Sequence, residues 1–131
     1  MKINIQTIPH ERQRYETCGD WQFFGINEKN PVLEISVSDM GNADYEFLVG
    51  IHEAIEAYLA VRRFGFGVEK LLDDFDMAYE KERKEGDESE PGDHPDCPVY
   101  LEHQIATGVE IILAGLLKVD WTTYDRAIGD L

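Results

Sequence analysis

The hydrophobic pattern of this chain changes its period once, and that change sets the fold class. Apolar and polar residues alternate in segments 2–7 and 32–37, with an aromatic-rich segment at 20–24 between them. Alternation of this kind is typical of half-buried strands. After the turn at 39–42, apolar residues recur every three or four positions, which is the period of an amphipathic helix. Strands followed by helices predict an α+β domain whose residues 1–40 form a small antiparallel meander.

Three to four helices are predicted over residues 43–131. The first covers about residues 43–63 and ends at Gly65 and Gly67. The second carries an apolar stripe made of Val68, Leu71, Leu72, Phe75, Ala78 and Tyr79. A loop is predicted at 86–98, because this segment is acidic and rich in proline and glycine.

The third helix is predicted to begin near Pro98, and Asp120 is a natural N-cap for a short last helix through Trp121 and Tyr124. The apolar residues of the third helix fall at helical spacings, and we expect them to form its buried stripe: Ile105, Val109, Ile112, Leu113, Leu116 and Leu117. No internal repeat is present. The 131 residues fit one domain with one core.

Charge narrows the range of partners. The chain has 27 acidic and 12 basic residues and a formal charge of −15, which repels phosphate backbones and anionic membranes. Direct binding to nucleic acid or membrane is therefore not expected, whereas a basic protein partner or a cation is compatible with this field. The N-terminus lacks the apolar run of a signal peptide, which predicts a cytosolic location. In that compartment Cys18 and Cys97, which form no CxxC pair, are expected to be free thiols.

The first helix contains the local pattern that best suits metal chemistry. His52 and Glu56 are four residues apart and therefore lie one turn above each other on the same side of the helix. Glu53 points about 100 degrees around from His52, the position that carries the general base in a His-Glu-x-x-His helix. Here Glu56 replaces the second histidine, which zinc tolerates because it binds carboxylates as well as imidazoles. The alternative is that both glutamates are solvated and His52 is a hydrogen-bonded border residue.

A second histidine must then come from elsewhere in the chain, and His103 on the third helix is the predicted choice. Its neighbour Glu102 falls within an apolar stretch, where a carboxylate is costly unless it is paired, hydrogen-bonded or bound to a cation. A metal, Arg62 or Arg63, or a frayed first turn of the helix would each satisfy it.

Other acidic residues supply weaker candidates. The acidic residues of the loop do not follow the spacing of a calcium-binding loop, so specific calcium binding is not expected. Asp76 is predicted to lie at the edge of a polar pocket between the helices and to support the metal ligands without touching the metal. His94 in the loop could reach over the site as part of a lid, although an ordinary surface turn is the alternative.

Several segments together resemble a group of small bacteriophage and prophage proteins. They are Val49-Gly50-Ile51-His52-Glu53-Ala54-Ile55-Glu56-Ala57, Asp74-Phe75-Asp76-Met77-Ala78-Tyr79-Glu80, Pro91-Gly92-Asp93-His94-Pro95, Tyr100-Leu101-Glu102-His103-Gln104-Ile105-Ala106-Thr107 and Val119-Asp120-Trp121. The resemblance implies a phage origin and a location in the host cytoplasm, and it brings no activity with it. The order of elements also resembles the zincin metallopeptidases, in which strands precede a His-Glu-x-x-His helix. That likeness implies His52, Glu56 and His103 as ligands and Glu53 as the base.

Two functions are therefore expected from the sequence. The first is a zincin-like domain that binds one divalent metal, zinc above all, and hydrolyses a peptide or another carbonyl compound. The second is a non-enzymatic, acidic phage protein that imitates DNA or serves as a structural accessory.

Overall fold

A computed structural model describes all 131 residues and contains three strands and four helices. The strands are β1 (Lys2–Ile8), β2 (Gly19–Phe24) and β3 (Val32–Ser38), and the helices are α1 (Ala43–Phe64), α2 (Val68–Glu82), α3 (Tyr100–Leu116) and α4 (Trp121–Gly129). Short 3-10 turns lie at His10–Arg12 and Pro91–Asp93. The α+β class predicted from the sequence is confirmed. No helix is long and apolar enough to cross a bilayer.

The sheet is mixed, and the predicted antiparallel meander is wrong. The strand order is β1-β3-β2, with β3 antiparallel to β2 but parallel to β1. The most apolar strand takes the centre, because there its side chains can be covered completely: Leu33, Ile35 and Val37 are fully buried. The connection through residues 9–18 carries the chain across to the far edge, so β1 and β2 never pair.

Helix α1 packs across the sheet and positions the site. Asn42 caps its N-terminus by accepting a hydrogen bond from the Tyr45 amide, and Gly65 ends it in a positive-φ conformation that favours glycine. Leu48, Ala57 and Ala60 are buried on its inner side. The helix therefore presents one face to the sheet and to α3, which is where His52 and Glu56 lie.

Helix α3 packs against α1 with its charged residues inward, and its predicted buried stripe is wrong. Glu102, His103 and Glu110 are buried, together with Ala106 and Ala114. Of the residues expected to be buried, Leu113 and Val109 are half-buried, and Ile105, Ile112, Leu116 and Leu117 are exposed. Helix α1 offers a partner for each of these charges, which buried charged groups require: Arg63 for Glu102, Glu56 for His103 and His52 for Glu110.

The remaining elements complete the core. On α2, Val68 and Leu72 are buried, whereas Leu71 and Ala78 of the predicted stripe are exposed. Asp120 caps α4 as predicted and accepts a hydrogen bond from the Thr123 amide. The acidic loop is held against α2 by Arg83, which donates hydrogen bonds to backbone carbonyls of the loop.

Candidate metal centre

Three donor atoms from α1 and α3 converge at one point. His52 Nε2 lies 3.1 Å from His103 Nδ1 and 3.4 Å from Glu56 Oε2, and His103 Nδ1 lies 2.8 Å from Glu56 Oε2. All three residues are buried. A zinc ion bound at about 2.0–2.2 Å holds tetrahedral ligands about 3.3–3.6 Å apart, so small adjustments would bring these atoms to coordination distances.

Each of the three side chains is also held at its other polar atom. His52 Nδ1 lies 2.7 Å from Glu110 Oε1. Trp21 Nε1 donates a 3.0 Å hydrogen bond to Glu56 Oε1. On the far side of the His103 ring, Nε2 faces two carboxylates of the acidic loop, Glu90 Oε2 and Asp93 Oδ1, each at 3.3 Å. A carboxylate behind each histidine fixes the ring and leaves the opposite nitrogen free to bind a metal.

Glu110 is itself fixed by α4. The Tyr124 hydroxyl donates a hydrogen bond to Glu110 Oε2, and Tyr124 is fully buried. Burial and the neighbouring charge of Glu110 raise the pKa of Tyr124 far above its ordinary value, so the phenol stays protonated and remains a donor. Contacts from Tyr124 to Glu110 and from Glu110 to His52 thus link α4 to the candidate metal centre.

With no metal bound, protons occupy the cluster. Burial opposes a charge on His52, but hydrogen bonds with Glu110 and Glu56 outweigh it and raise its pKa to about 11. Burial is likewise outweighed at His103, where Glu56 and Glu90 raise the pKa to about 10. Burial opposes the charge of Glu56 too, yet the two histidines lower its pKa to about 2. The donor atoms thus form a site that attracts positive charge, whether protons or a cation.

Glu53 lines the same cavity as the three donors, and its side chain lies against Gly19 of β2. An added Cβ on Gly19 would stand 2.7 Å from both Cγ and Oε1 of Glu53, so glycine at that position makes room for the side chain. Burial, and then the charge of Glu56, raise the pKa of Glu53 well above its ordinary value. A carboxylate with a raised pKa in a cavity has the character of a general acid or base.

A cavity of about 810 Å³ opens onto the cluster. Its lining includes His52, Glu53, Glu56 and His103 as well as the aromatic side chains of Trp21 and Trp121. Many carboxylates also line it, and Arg83 is the one lysine or arginine among the lining residues. The cavity could hold a small molecule or a peptide segment, and it disfavours anions.

The other predicted site residues are placed as follows. Glu102 pairs with Arg63 at 2.7 Å, one of the alternatives left open by the sequence, and its second oxygen is buried without a partner. Asp76 lines the cavity, where burial, and then the charge of Glu56, raise its pKa to about 7. His94 is exposed and lies outside the lining of the cavity. Its ring centroid is 6.1 Å from that of Phe75 and 6.3 Å from that of Tyr79.

The sequence did not predict the residues that hydrogen-bond to the ligands on the side away from the metal position. Glu110 is seven residues after His103, two turns along the same helix face, and this spacing could have indicated it. Trp21 and Tyr124 gave no signal, because nothing local connects them to α1. Cys18 and Cys97 are free thiols, and burial raises the pKa of both, which argues against a nucleophilic role.

Comparisons with protein family models, with curated proteins and with solved structures found no match for this chain.

Proposed function

We propose that this protein binds one divalent metal ion through His52, Glu56 and His103, and that the bound metal serves hydrolysis of a carbonyl compound such as a peptide. The observation that carries the proposal is the convergence of three buried donor atoms, each held from behind by a second group. Two imidazoles and one carboxylate form a familiar catalytic zinc set. The same set also binds iron(II), so the metal is assigned by measurement.

The negative charge around the three donor atoms favours binding of a cation there. Four carboxylates contact the two histidines: Glu56, Glu90, Asp93 and Glu110. Protons on the two imidazoles neutralise at most half of this charge, and a divalent metal would replace those protons at the donor atoms. Release of protons on metal binding is the usual behaviour of such sites.

The residues around the ligands have separate roles in the proposed reaction. His52, Glu56 and His103 would hold the metal, which would supply Lewis-acid chemistry toward the carbonyl group and water. Glu53 would accept a proton from the attacking water and pass it to the leaving group. Glu110 and Glu90 keep His52 and His103 in the tautomers that direct the correct nitrogen inward.

The test begins with protein purified without a histidine tag and stripped with a chelator. Zinc, iron(II), cobalt(II) and manganese(II) are added in turn, excess metal is removed by dialysis, and bound metal is counted. We expect about one equivalent of the preferred metal, and loss of tight binding in His52→Ala, Glu56→Ala and His103→Ala. His94→Ala is the matched control, because it removes an exposed histidine outside the cluster, and it should bind like the wild type.

Hydrolysis is tested separately from binding. Glu53→Gln removes the proposed base without removing a ligand, so it should keep the metal and lose at least about 100-fold in rate on a peptide library or an activated ester. Metal binding without hydrolysis in the wild type would contradict the enzymatic part of the proposal and leave the metal site standing.

A further inference from the structure

Helix α3 buries its charged residues and exposes many of its apolar ones, unlike an ordinary surface helix. Its charged residues, Glu102, His103 and Glu110, all face inward. Its exposed side carries no charge at all and is made of Tyr100, Leu101, Gln104, Ile105, Gly108, Ile111, Ile112, Gly115, Leu116 and Leu117. Ile112 is 66% exposed and Leu116 75% exposed. A soluble helix normally shows the reverse arrangement, with charges outward.

The exposed residues form a continuous stripe. Leu101, Ile105, Gly108 and Ile112 follow one another at intervals of four, three and four residues, so they lie along one line of the helix surface. Nothing in the chain lies within 4 Å of a Cβ added at Gly108 or Gly115. The stripe therefore has side-chain ridges next to glycine hollows, a surface into which the ridges of another helix can fit.

The extent of the surface fits a stable contact. Seven large apolar side chains of α3 and its C-terminal end are 37–75% exposed. With about 150–200 Å² for each such side chain, of which about half is exposed, the seven offer on the order of 600 Å², which approaches the roughly 800 Å² that each partner contributes to a standard interface. Exposed apolar patches of this size mark interaction sites.

The charge of the chain limits where two copies of it can meet. Each copy of the chain carries −15, so two copies repel each other wherever acidic surfaces meet. The α3 stripe is an uncharged surface across which they can approach. Ridges and hollows lie on the same stripe, which allows it to be complementary to itself about a twofold axis.

We infer that the exposed stripe of α3 is the contact surface of a homodimer, formed by two α3 helices packed against each other. The stripe lies opposite the buried face that carries His103 and Glu110. Dimerisation would therefore leave the cavity and the candidate metal centre open on each copy. The dimer does not depend on the proposed function and can be tested with metal-free protein.

The experiment measures the mass of the tag-free chain in solution by sedimentation and light scattering, at concentrations up to about 100 µM. We expect a species of twice the 15.0 kDa chain mass. Ile112→Glu and Leu116→Glu each place a charge in the stripe and should weaken the dimer at least about 100-fold. Both side chains are exposed, so circular dichroism and metal content should stay as in the wild type.

Leu71→Glu on α2 is the matched control, because Leu71 is 59% exposed but lies outside the stripe, and this variant should remain dimeric. Added salt should strengthen the dimer, since screening reduces repulsion between acidic copies while apolar contact remains. A wild-type chain that stays at 15.0 kDa over the whole range would overturn the inference and point to a different protein on this surface. A dimer that survives Ile112→Glu and Leu116→Glu would also overturn it.

Discussion

His52 and Glu110 connect the two long helices through a 2.7 Å contact between Nδ1 and Oε1. The contact leaves Nε2 of His52 facing Glu56 and His103. Because Glu110 is held in turn by Tyr124, the orientation of the imidazole is set by three separate helices.

Glu110→Gln should weaken metal binding by about 10- to 100-fold, because the amide keeps the shape of the side chain but loses the charge that fixes the His52 tautomer. Competition with a chelator of known affinity measures the change. Glu82→Gln is the control, since Glu82 is an exposed carboxylate at the end of α2. Equal affinities for the two variants would show that Glu110 does not support the ligand.

Gly92→Ala tests whether the acidic loop fixes His103. A Cβ at this position would stand 2.5 Å from Cγ and Nδ1 of the His103 ring, so the ring or the loop must move. We expect at least a tenfold loss of metal affinity, measured by the same competition. Gly67→Ala is the control, because nothing lies within 4 Å of its added Cβ and its φ of −62° suits alanine. A loss of affinity in both variants would contradict a specific role for Gly92.

Metal affinity should rise with pH. Burial is outweighed by the neighbouring carboxylates, which raise the pKa of His52 to about 11 and that of His103 to about 10, so the cluster holds at least one imidazole proton at neutral pH when no metal is bound. Binding must displace up to two protons, so the apparent affinity should increase by about 10- to 100-fold per unit between pH 6 and pH 8. Calorimetry in buffers of different ionisation enthalpy counts the released protons. Affinity that does not change over this range would contradict metal binding at these nitrogens.

Asp76→Asn should stabilise the metal-free protein at alkaline pH. The pKa of Asp76 is about 7 in the fold against an ordinary 3.8, so the unfolded chain releases this proton first. Stability is therefore lost as pH rises from about 4 to 7, with an upper limit of about 4 kcal/mol. Urea unfolding with chelator present should give the variant a free energy of unfolding higher by about 1–3 kcal/mol at pH 8 and nearly unchanged at pH 4.

The exposed Asp125 provides the comparison for this experiment. Asp125→Asn should leave the free energy of unfolding within about 0.5 kcal/mol of the wild type at both pH values. A gain in Asp76→Asn that is as large at pH 4 as at pH 8 would rule out the carboxylate charge as its cause.

Local patterns predicted the helices well because helix signals are local. The bounds of α1 follow from its apolar period and Gly65, and α4 begins after Asp120 as its capping chemistry requires. Strand order was not predictable in this way. The parallel pairing of β1 with β3 depends on which strand lies at the centre of the sheet between the other two. No property of residues 2–7 alone encodes that position.

The site could be predicted in part. The i, i+4 spacing of His52 and Glu56 and the search for a second histidine led to three residues that the fold brings together. The orientation of α3 was not predictable from periodicity, because the helix is apolar on the side that it exposes and charged on the side that it buries. For the same reason, the contact between Glu110 and His52 could be identified only from the packing of α1 against α3.

The most direct test of the central claim is the metal content of tag-free protein after zinc addition and exhaustive dialysis. The arrangement of His52, Glu56 and His103 predicts about one equivalent of zinc per chain, and loss of that zinc in His103→Ala. Less than about a tenth of an equivalent in the wild type would contradict a metal centre at these residues and leave the cluster as a proton-bridged ion network.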